Sequence, residues 1–379
     1  MTQEKGKTEE REKRGGFDIP FFVLVMILLA FGLIMVFSAS YASAYYSMDD
    51  SFYYVKQQLL AAMLGLFIMV IFIASDYKWL KIVSVPLIIV AIVLLIAVLF
   101  IGTTVNQATR WIYIGPINFQ PSEVAKIAVI IFFAHCISTY QKHMKSFTRG
   151  ILPYMAILGI MSFLLIKEPH YSATLLICAL GMVLIFAGGA SLKWLIGMGA
   201  AGGTGLLYML LFTNYTKTRI ETWLHPELDP SGTGYQILQS LYAIGSGGLM
   251  GLGLGQSRQK YLYLPEAHND FIFSIVCEEL GFIGASFVII LFALLIWRGF
   301  VIAFRAQDSF GALLVVGVVS LVALQFLINI AVVTNFMPVT GMPLPFFSYG
   351  GTSLLILLFE MGIVLNVSRY AKPTDGGKA

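Results

Sequence analysis

Ten apolar stretches, each of roughly one membrane crossing, dominate this chain: near residues 19–42, 59–75, 82–102, 121–139, 151–167, 172–190, 192–212, 271–296, 310–334 and 347–367. A bilayer core takes about 20 consecutive apolar residues per helix. Inside it, a helix satisfies every backbone polar group within its own segment. Composition agrees, with 58% hydrophobic residues and only 12% charged, where soluble domains carry roughly a quarter charged. The expected fold is therefore all-α: a polytopic membrane protein of ten transmembrane helices, with a large extracellular loop between helices 7 and 8. That loop, residues 213–270, is too short and too glycine-rich to bury a core of its own. The transmembrane domain then runs over 19–367, between tails at 1–18 and 368–379.

Orientation follows from lysine and arginine, which concentrate in short cytoplasmic loops. With Lys5, Lys7, Arg11, Lys13 and Arg14 inside, alternate loops carry Lys78 and Lys81, then Lys142, Lys145 and Arg149, Lys193, Arg298 and Arg305, and finally Arg369, Lys372 and Lys378. Lys56, Arg110, Lys167, Lys217, Arg219, Arg258 and Lys260 fall outside. Both tails are expected in the cytoplasm. A cleaved signal peptide ending at SASYASA (Ser38 to Ala44) is disfavoured, because the first apolar stretch exceeds the 7–15 residues of a signal core. Cys136, Cys178 and Cys277 lie within spans at no metal spacing, so neither a disulfide framework nor a zinc site is expected.

Two glycine clusters read as structural. GLGLGQ (Gly251 to Gln256) lacks the strand and helix that a nucleotide-binding loop requires and reads as a flexible turn. GMGAAGGTG (Gly197 to Gly205) lies within a span, where small residues let helices approach closely. GYQILQSLYAIGSGG (Gly234 to Gly248) has helical spacing of Ile237, Leu238, Leu241 and Ile244. It suits a helix lying on the outer membrane face or one packed on the protein.

Ionisable groups at membrane depth are costly and mark function. In FQPSEVAK (Phe119 to Lys126), Pro121 suits a first helical turn, and Glu123 and Lys126 share one face. Lys126 then lies about a turn below the outer surface, level with Asp270 of LPEAHNDFIFS (Leu264 to Ser274). Arg110 and Trp111 precede the first of these helices. Glu123 and Lys126 either neutralise each other or belong to a site, and Asp270 is either a helix cap or a functional acid with Glu266, His268, Arg258 and Lys260 near it. Glu278 would lie roughly 12 Å deeper than Asp270 on a continuous helix.

Acids and cations gathered at one leaflet suit a lipid-linked sugar pyrophosphate. Glycosyl transfer from pyrophosphate needs its leaving charge stabilised by Arg, Lys or a divalent metal, and one carboxylate serves as base toward the acceptor hydroxyl. Glycoside hydrolysis, with its poorer leaving group, generally uses two.

MVFSAS (Met35 to Ser40), RW at Arg110 and Trp111, FQPSEVAK, LPEAHNDFIFSIVCEELGFIG (Leu264 to Gly284) and PVTGMPLPFFSYGGTS (Pro338 to Ser353) together closely resemble the SEDS family of FtsW, RodA and SpoVE, most similarly its FtsW/SpoVE branch. The resemblance implies a ten-helix peptidoglycan glycosyltransferase that polymerises lipid II outside the cytoplasmic membrane in division or sporulation. Its expected partners are a class B penicillin-binding transpeptidase and divisome-type membrane proteins, with no nucleic acid. The family's essential acid falls on Asp270. Arg110, Glu123, Lys126, Arg258, Lys260, His268 and Ser348 are the candidate substrate contacts, with Mg²⁺ as a candidate cofactor and no metal-ligating residues assigned. PLPFFSYGG either shapes the cavity wall or is structural. The chain departs from the family at Asn269, where threonine is common, and at EPH (Glu168 to His170), where relatives more often read QPD, so no family role is carried to His170. A lipid II flippase and a scaffold that only recruits the transpeptidase are the alternatives. Against a translocation path, the charges gather at one leaflet, with Glu278 and Glu360 as exceptions.

Overall fold

The structure, a computed structural model, describes residues 15–105, 108–114, 117–212, 220–230, 232 and 234–371. The basic residues of the first fourteen positions, Lys217, Arg219, Lys372 and Lys378 lie outside the described residues. Helices form at every apolar stretch: α1 (Ile19–Met48), α2 (Tyr53–Ala74), α3 (Leu80–Ile101), α4 (Pro121–Thr139), α5 (Leu152–Lys167), α6 (Tyr171–Ala187), α7 (Leu192–Phe212), α9 (Ile272–Arg305), α10 (Ser309–Val333) and α11 (Gly351–Arg369). A short helix, α8 (Tyr235–Ser246), lies in the long connection before α9. Among the described residues, eight helices are long and apolar enough to cross a bilayer, and α6 is a shorter apolar one.

The all-α expectation needs one amendment. Between α3 and α4 the chain forms a three-stranded antiparallel sheet, β1 (Thr103–Val105), β2 (Ala108–Ile114) and β3 (Ile117–Phe119), with Ile112 opposite Phe119. Its threonine, valine, isoleucine, tyrosine and tryptophan favour a pleated surface.

Both ends of the described chain meet at one end of the bundle, where the Gly15 N–H donates to the Arg369 carbonyl at 3.0 Å. Asp18 caps α1 there and takes a two-pronged bond from Arg298 of α9, at 2.9 and 2.7 Å. Ser38 lies twenty residues further along α1, about 30 Å by helical rise, and touches Glu279 of α9. Asn329 of α10 stands at a similar height above Asp308. Asp18 to Ser38 therefore spans about one hydrocarbon thickness, and the polar residues above it crown the far end.

Residues 272–280 do not continue into the rest of α9. Gly281 breaks the helix with φ 64° and ψ −166°. Asp270 bonds to Asn329, Ser274 reaches Val333 through Ser240, and Glu279 reaches Ser38. The short helix thus crosses the far end of the bundle, and Glu278 is not a carboxylate 12 Å below Asp270. Hydropathy cannot see this break because both halves are apolar.

The backbone freed at the break is satisfied by the glycine loop. Leu252 and Gly253 N–H groups donate to the Glu278 and Glu279 carbonyls, and Phe282 and Ile283 donate to Gly248 and Leu249, all between 2.9 and 3.2 Å. A Cβ on Gly251 would sit 2.2 Å from the Glu279 oxygen, and Gly251 has φ 79°. GLGLGQ is therefore a fitted clamp rather than a flexible turn. In α7, among the described residues, a Cβ on Gly197, Gly199, Gly202 or Gly203 meets nothing within 4 Å, so these four do not serve a close helix contact. The α8 helix packs on the protein, burying Ile237, Ser240 and Ala243. All three cysteines are free.

Candidate active site

At the N-terminus of α4, Pro121 occupies the first turn and directs Glu123 and Lys126 inward. Both are buried, and the Lys126 ammonium lies 2.7 Å from Glu123. They line a cleft together with Gln325, Ser348, Tyr349 and Glu360. Its rim is the stretch Pro343 to Tyr349, so PLPFFSYGG forms a wall of the cleft.

That same stretch places Asp270. Asn329, buried in α10, donates through Nδ2 to the carbonyls of Asp270 and Met342 at 2.7 and 2.8 Å. The Ser348 hydroxyl donates to Asn269 O at 2.7 Å and accepts from Leu344 N–H, and the Tyr349 N–H donates to His268 O. Gln58 of α2 closes the other side by bonding Ser348 O and Gly350 N–H. The partly exposed Asp270 carboxylate lies over Gly341, whose added Cβ would stand 3.5 Å from Oδ2. The N-cap of α9 is Phe271, so Asp270 is not its capping residue.

Arg110 approaches from β2. Its guanidinium donates to the Pro169 carbonyl between α5 and α6. Two residues beyond His170, the Ser172 hydroxyl donates to Thr340 O, next to Gly341. Arg110, the 168–172 corner, Thr340, Gly341 and Asp270 thus form one connected rim.

The remaining candidates go elsewhere. The Lys260 ammonium is buried against Glu279 at 3.0 Å and the Gly255 carbonyl at 2.5 Å, while the Ser38 hydroxyl lies 2.7 and 2.6 Å from the two Glu279 oxygens. The Arg258 N–H donates to Glu278 at 3.0 Å, and the Ser257 hydroxyl donates to the same carboxylate. Arg258 and Lys260 therefore anchor the loop to the Gly281 break, with Lys260 spent on an internal ion pair. His268 packs on Tyr54 with ring centroids 4.5 Å apart and the planes tilted by 34°, and burial lowers its pKa.

Sequence reasoning missed Asn329, Gln325 and Gln58. Each is a buried amide at membrane depth, where polar groups need a partner, and that was the available signal. It also assigned nothing to Glu168 and His170. Burial raises the Glu168 carboxyl to about 8, with Arg110 opposing. Burial, then Arg110 and Lys126, hold His170 well below the usual imidazole value. Among the described residues no three His, Cys, Asp or Glu side chains gather as a metal site. Mg²⁺ is commonly held by one or two carboxylates together with substrate phosphates and water.

Residues 19–373 match the cell cycle protein family FtsW/RodA/SpoVE. Over 95% of this chain and 99% of the relative, the sequence is 42% identical to stage V sporulation protein E of Bacillus subtilis. It is also 42% identical to a probable peptidoglycan glycosyltransferase FtsW of Trichlorobacter lovleyi, over 94% of each. Among solved structures, a chain of a peptidoglycan synthase complex, described for its coordination of polymerization and crosslinking, superposes with TM-score 0.78 at 26% identity over 93% of this chain and 98% of that one. The rod shape determining protein RodA of Thermus thermophilus gives 0.69 at 26% identity, over 94% and 98%. This multi-pass membrane chain belongs to the FtsW/RodA/SpoVE family.

Proposed function

We propose that this chain is a peptidoglycan glycosyltransferase that polymerises lipid II at the outer face of the cytoplasmic membrane. Ten helices cross the bilayer, α1 to α7 and α9 to α11, with the described ends and both tails in the cytoplasm. The far end, including the 213–270 connection, faces outward. The observation that carries the reading is that Asn329 ties the Asp270 backbone to the loop whose residues 343–349 line the Lys126 cleft.

Asp270 takes the proton from the sugar hydroxyl of an incoming lipid II. The hydroxyl oxygen attacks the anomeric carbon of the lipid-linked strand, forming the new glycosidic bond. The bond to pyrophosphate breaks with its electron pair, and the lipid pyrophosphate departs. Arg110 and Lys126 meet the leaving charge, and charge stabilisation of this kind is usually the largest single contribution to catalysis. Glu123 orients Lys126. Ser348 and His268 hold the wall, while Lys260 and Arg258 hold the loop that leads to Asp270. A class B penicillin-binding transpeptidase is the proposed partner, with divisome-type membrane proteins around it in division or the corresponding machinery in sporulation.

The test is reconstitution of the purified chain with its transpeptidase in liposomes, with labelled lipid II supplied on the accessible face. Glycan strands are the expected product. Lipid II transport without strands under every condition would assign the chain as a flippase, and neither activity would leave a scaffold.

A further inference from the structure

Residues 247–255, GGLMGLGLG, carry no polar or charged side chain, although they lie in the connection between α8 and α9. Leu249 is 70% exposed, Met250 78% and Leu254 54%. Loops that face water are rich in Ser, Asn, Asp and Pro, so this stretch calls for a different neighbour. The surface it adjoins shows which. Past the break at Gly281, α9 exposes Phe282, Ile283, Phe287 and Ile290, the side of a spanning helix that meets lipid. The Phe282 and Ile283 N–H groups donate to the Gly248 and Leu249 carbonyls at 2.9 and 3.2 Å, so loop and helix present one continuous apolar surface.

Helical rise gives the depth. Arg298, paired with Asp18 at the opposite end of the bundle, lies sixteen residues beyond Phe282 on the same helix, about 24 Å by helical rise. A hydrocarbon core is about 30 Å thick. With the Asp18–Arg298 ion pair at one boundary, Phe282 and the loop bonded to it lie inside the opposite edge of the core, and any tilt of α9 brings them deeper. Backbone at that level needs its polar groups satisfied within the protein. The Gly251 N–H donates to Gly247 O at 2.8 Å, and the Leu252 and Gly253 N–H groups donate to the Glu278 and Glu279 carbonyls at 3.0 and 2.9 Å. Apolar side chains are what remains to face outward. Polar character returns only at Gln256 and the exposed Arg258, followed by exposed Tyr261 and Tyr263, a residue type enriched at membrane interfaces.

We propose that residues 249–254 dip into the outer leaflet and are covered there by lipid acyl chains. Leu249, Met250 and Leu254 supply the apolar area, and the hold of such a segment on a bilayer scales with the area it immerses. The bilayer thereby braces the glycine clamp at Gly281, which ends the short helix 272–280 that follows Asp270. Immersion of the loop holds whichever reaction the site performs.

The test places nitroxide labels on the full chain in phosphatidylethanolamine–phosphatidylglycerol vesicles and measures their collisions with oxygen, which concentrates in lipid, and with a nickel chelate, which stays in water. Labels enter through Met250→Cys, Leu254→Cys, Ile283→Cys and Glu227→Cys, one at a time, with Cys136, Cys178 and Cys277 replaced by alanine. Glu227, exposed in the same connection, is the aqueous control. The labels at Met250 and Leu254 should favour oxygen as the one at Ile283 does, and the label at Glu227 should favour the chelate. Chelate-dominated collisions at both loop positions would overturn the proposal. So would loop labels that the chelate reaches until the transpeptidase is added, which would make this face a protein docking surface. A second measurement needs no variant: a phospholipid carrying a diazirine near the top of one acyl chain should, on illumination, modify residues 249–254 of the wild type together with Phe282 and Ile283. Modification of α9 beside an unmodified loop would equally overturn the proposal.

Discussion

Asn329 and Asp270 are joined by a 2.7 Å bond from a buried amide to a backbone carbonyl, and the same amide holds Met342 at 2.8 Å. One side chain therefore ties the backbone of the acid to the loop after α10. Asn329→Leu leaves two carbonyls unsatisfied, at about 1–3 kcal/mol each where they stay buried. It should cut strand synthesis by about 10²-fold through misplacement. Circular dichroism and size exclusion separate this from unfolding, and a folded variant with normal strand yield would show that Asp270 is placed by other means.

The Lys260–Glu279 pair gives a second prediction. Removing one partner of a buried ion pair strands the other charge, so Lys260→Met or Glu279→Gln should each destabilise by about 3–5 kcal/mol. Replacing both, as Lys260→Met with Glu279→Met, should recover part of that loss, since the Ser38 hydroxyl and the Gly255 carbonyl still lose their partners. Thermal midpoints in detergent measure it, and additive losses in the double variant would contradict direct coupling between the two charges.

Glycine substitutions should separate the clamp from the open face of α7. Gly281 has φ 64°, and its added Cβ would stand 2.3 Å from Gly251 N. Gly281→Ala therefore combines the cost of a backbone region open essentially to glycine alone, about 1–3 kcal/mol, with a backbone collision. Gly202→Ala meets nothing within 4 Å and should be neutral or stabilising by up to about 1 kcal/mol. Equal midpoints for the two variants would refute the clamp.

Stability should also carry the signature of Glu168. Its folded pKa is raised from 4.5 to about 8, so the folded state holds the proton more tightly than the unfolded one. The favourable contribution is complete below the unfolded value and is lost as pH climbs from 4.5 to about 8. His170 works the other way: its lowered pKa costs stability as pH falls through the unfolded value of 6.5. Glu168→Gln should flatten the upper slope and His170→Asn the lower, read as thermal midpoint against pH, and an unchanged upper slope in Glu168→Gln would contradict the burial of that carboxyl.

The helices were legible because lipid imposes a length and a composition on each. Asp270 stood out in the sequence as an acid at the border between polar and apolar residues, and its role there is what strand synthesis tests. Lys260 was misread for a related reason: in sequence it stands beside the Asp270 segment, but its partners are nineteen residues later in Glu279 and on α1 in Ser38, and such pairings leave no periodic trace. The break at Gly281 hides between two apolar halves, and only the glycine loop thirty residues earlier, folded back to satisfy its carbonyls, makes it possible. The sheet went unread because its strands are three to seven residues long.

Strand synthesis by Asp270→Asn decides most directly between an acid that does chemistry and one that only supports a fold. With the variant purified beside its transpeptidase, folded and supplied with labelled lipid II, glycan product should fall by about 10²–10⁴-fold, the range of a lost general base. Strands at the wild-type rate from that variant would show that the sugar hydroxyl loses its proton to some other group.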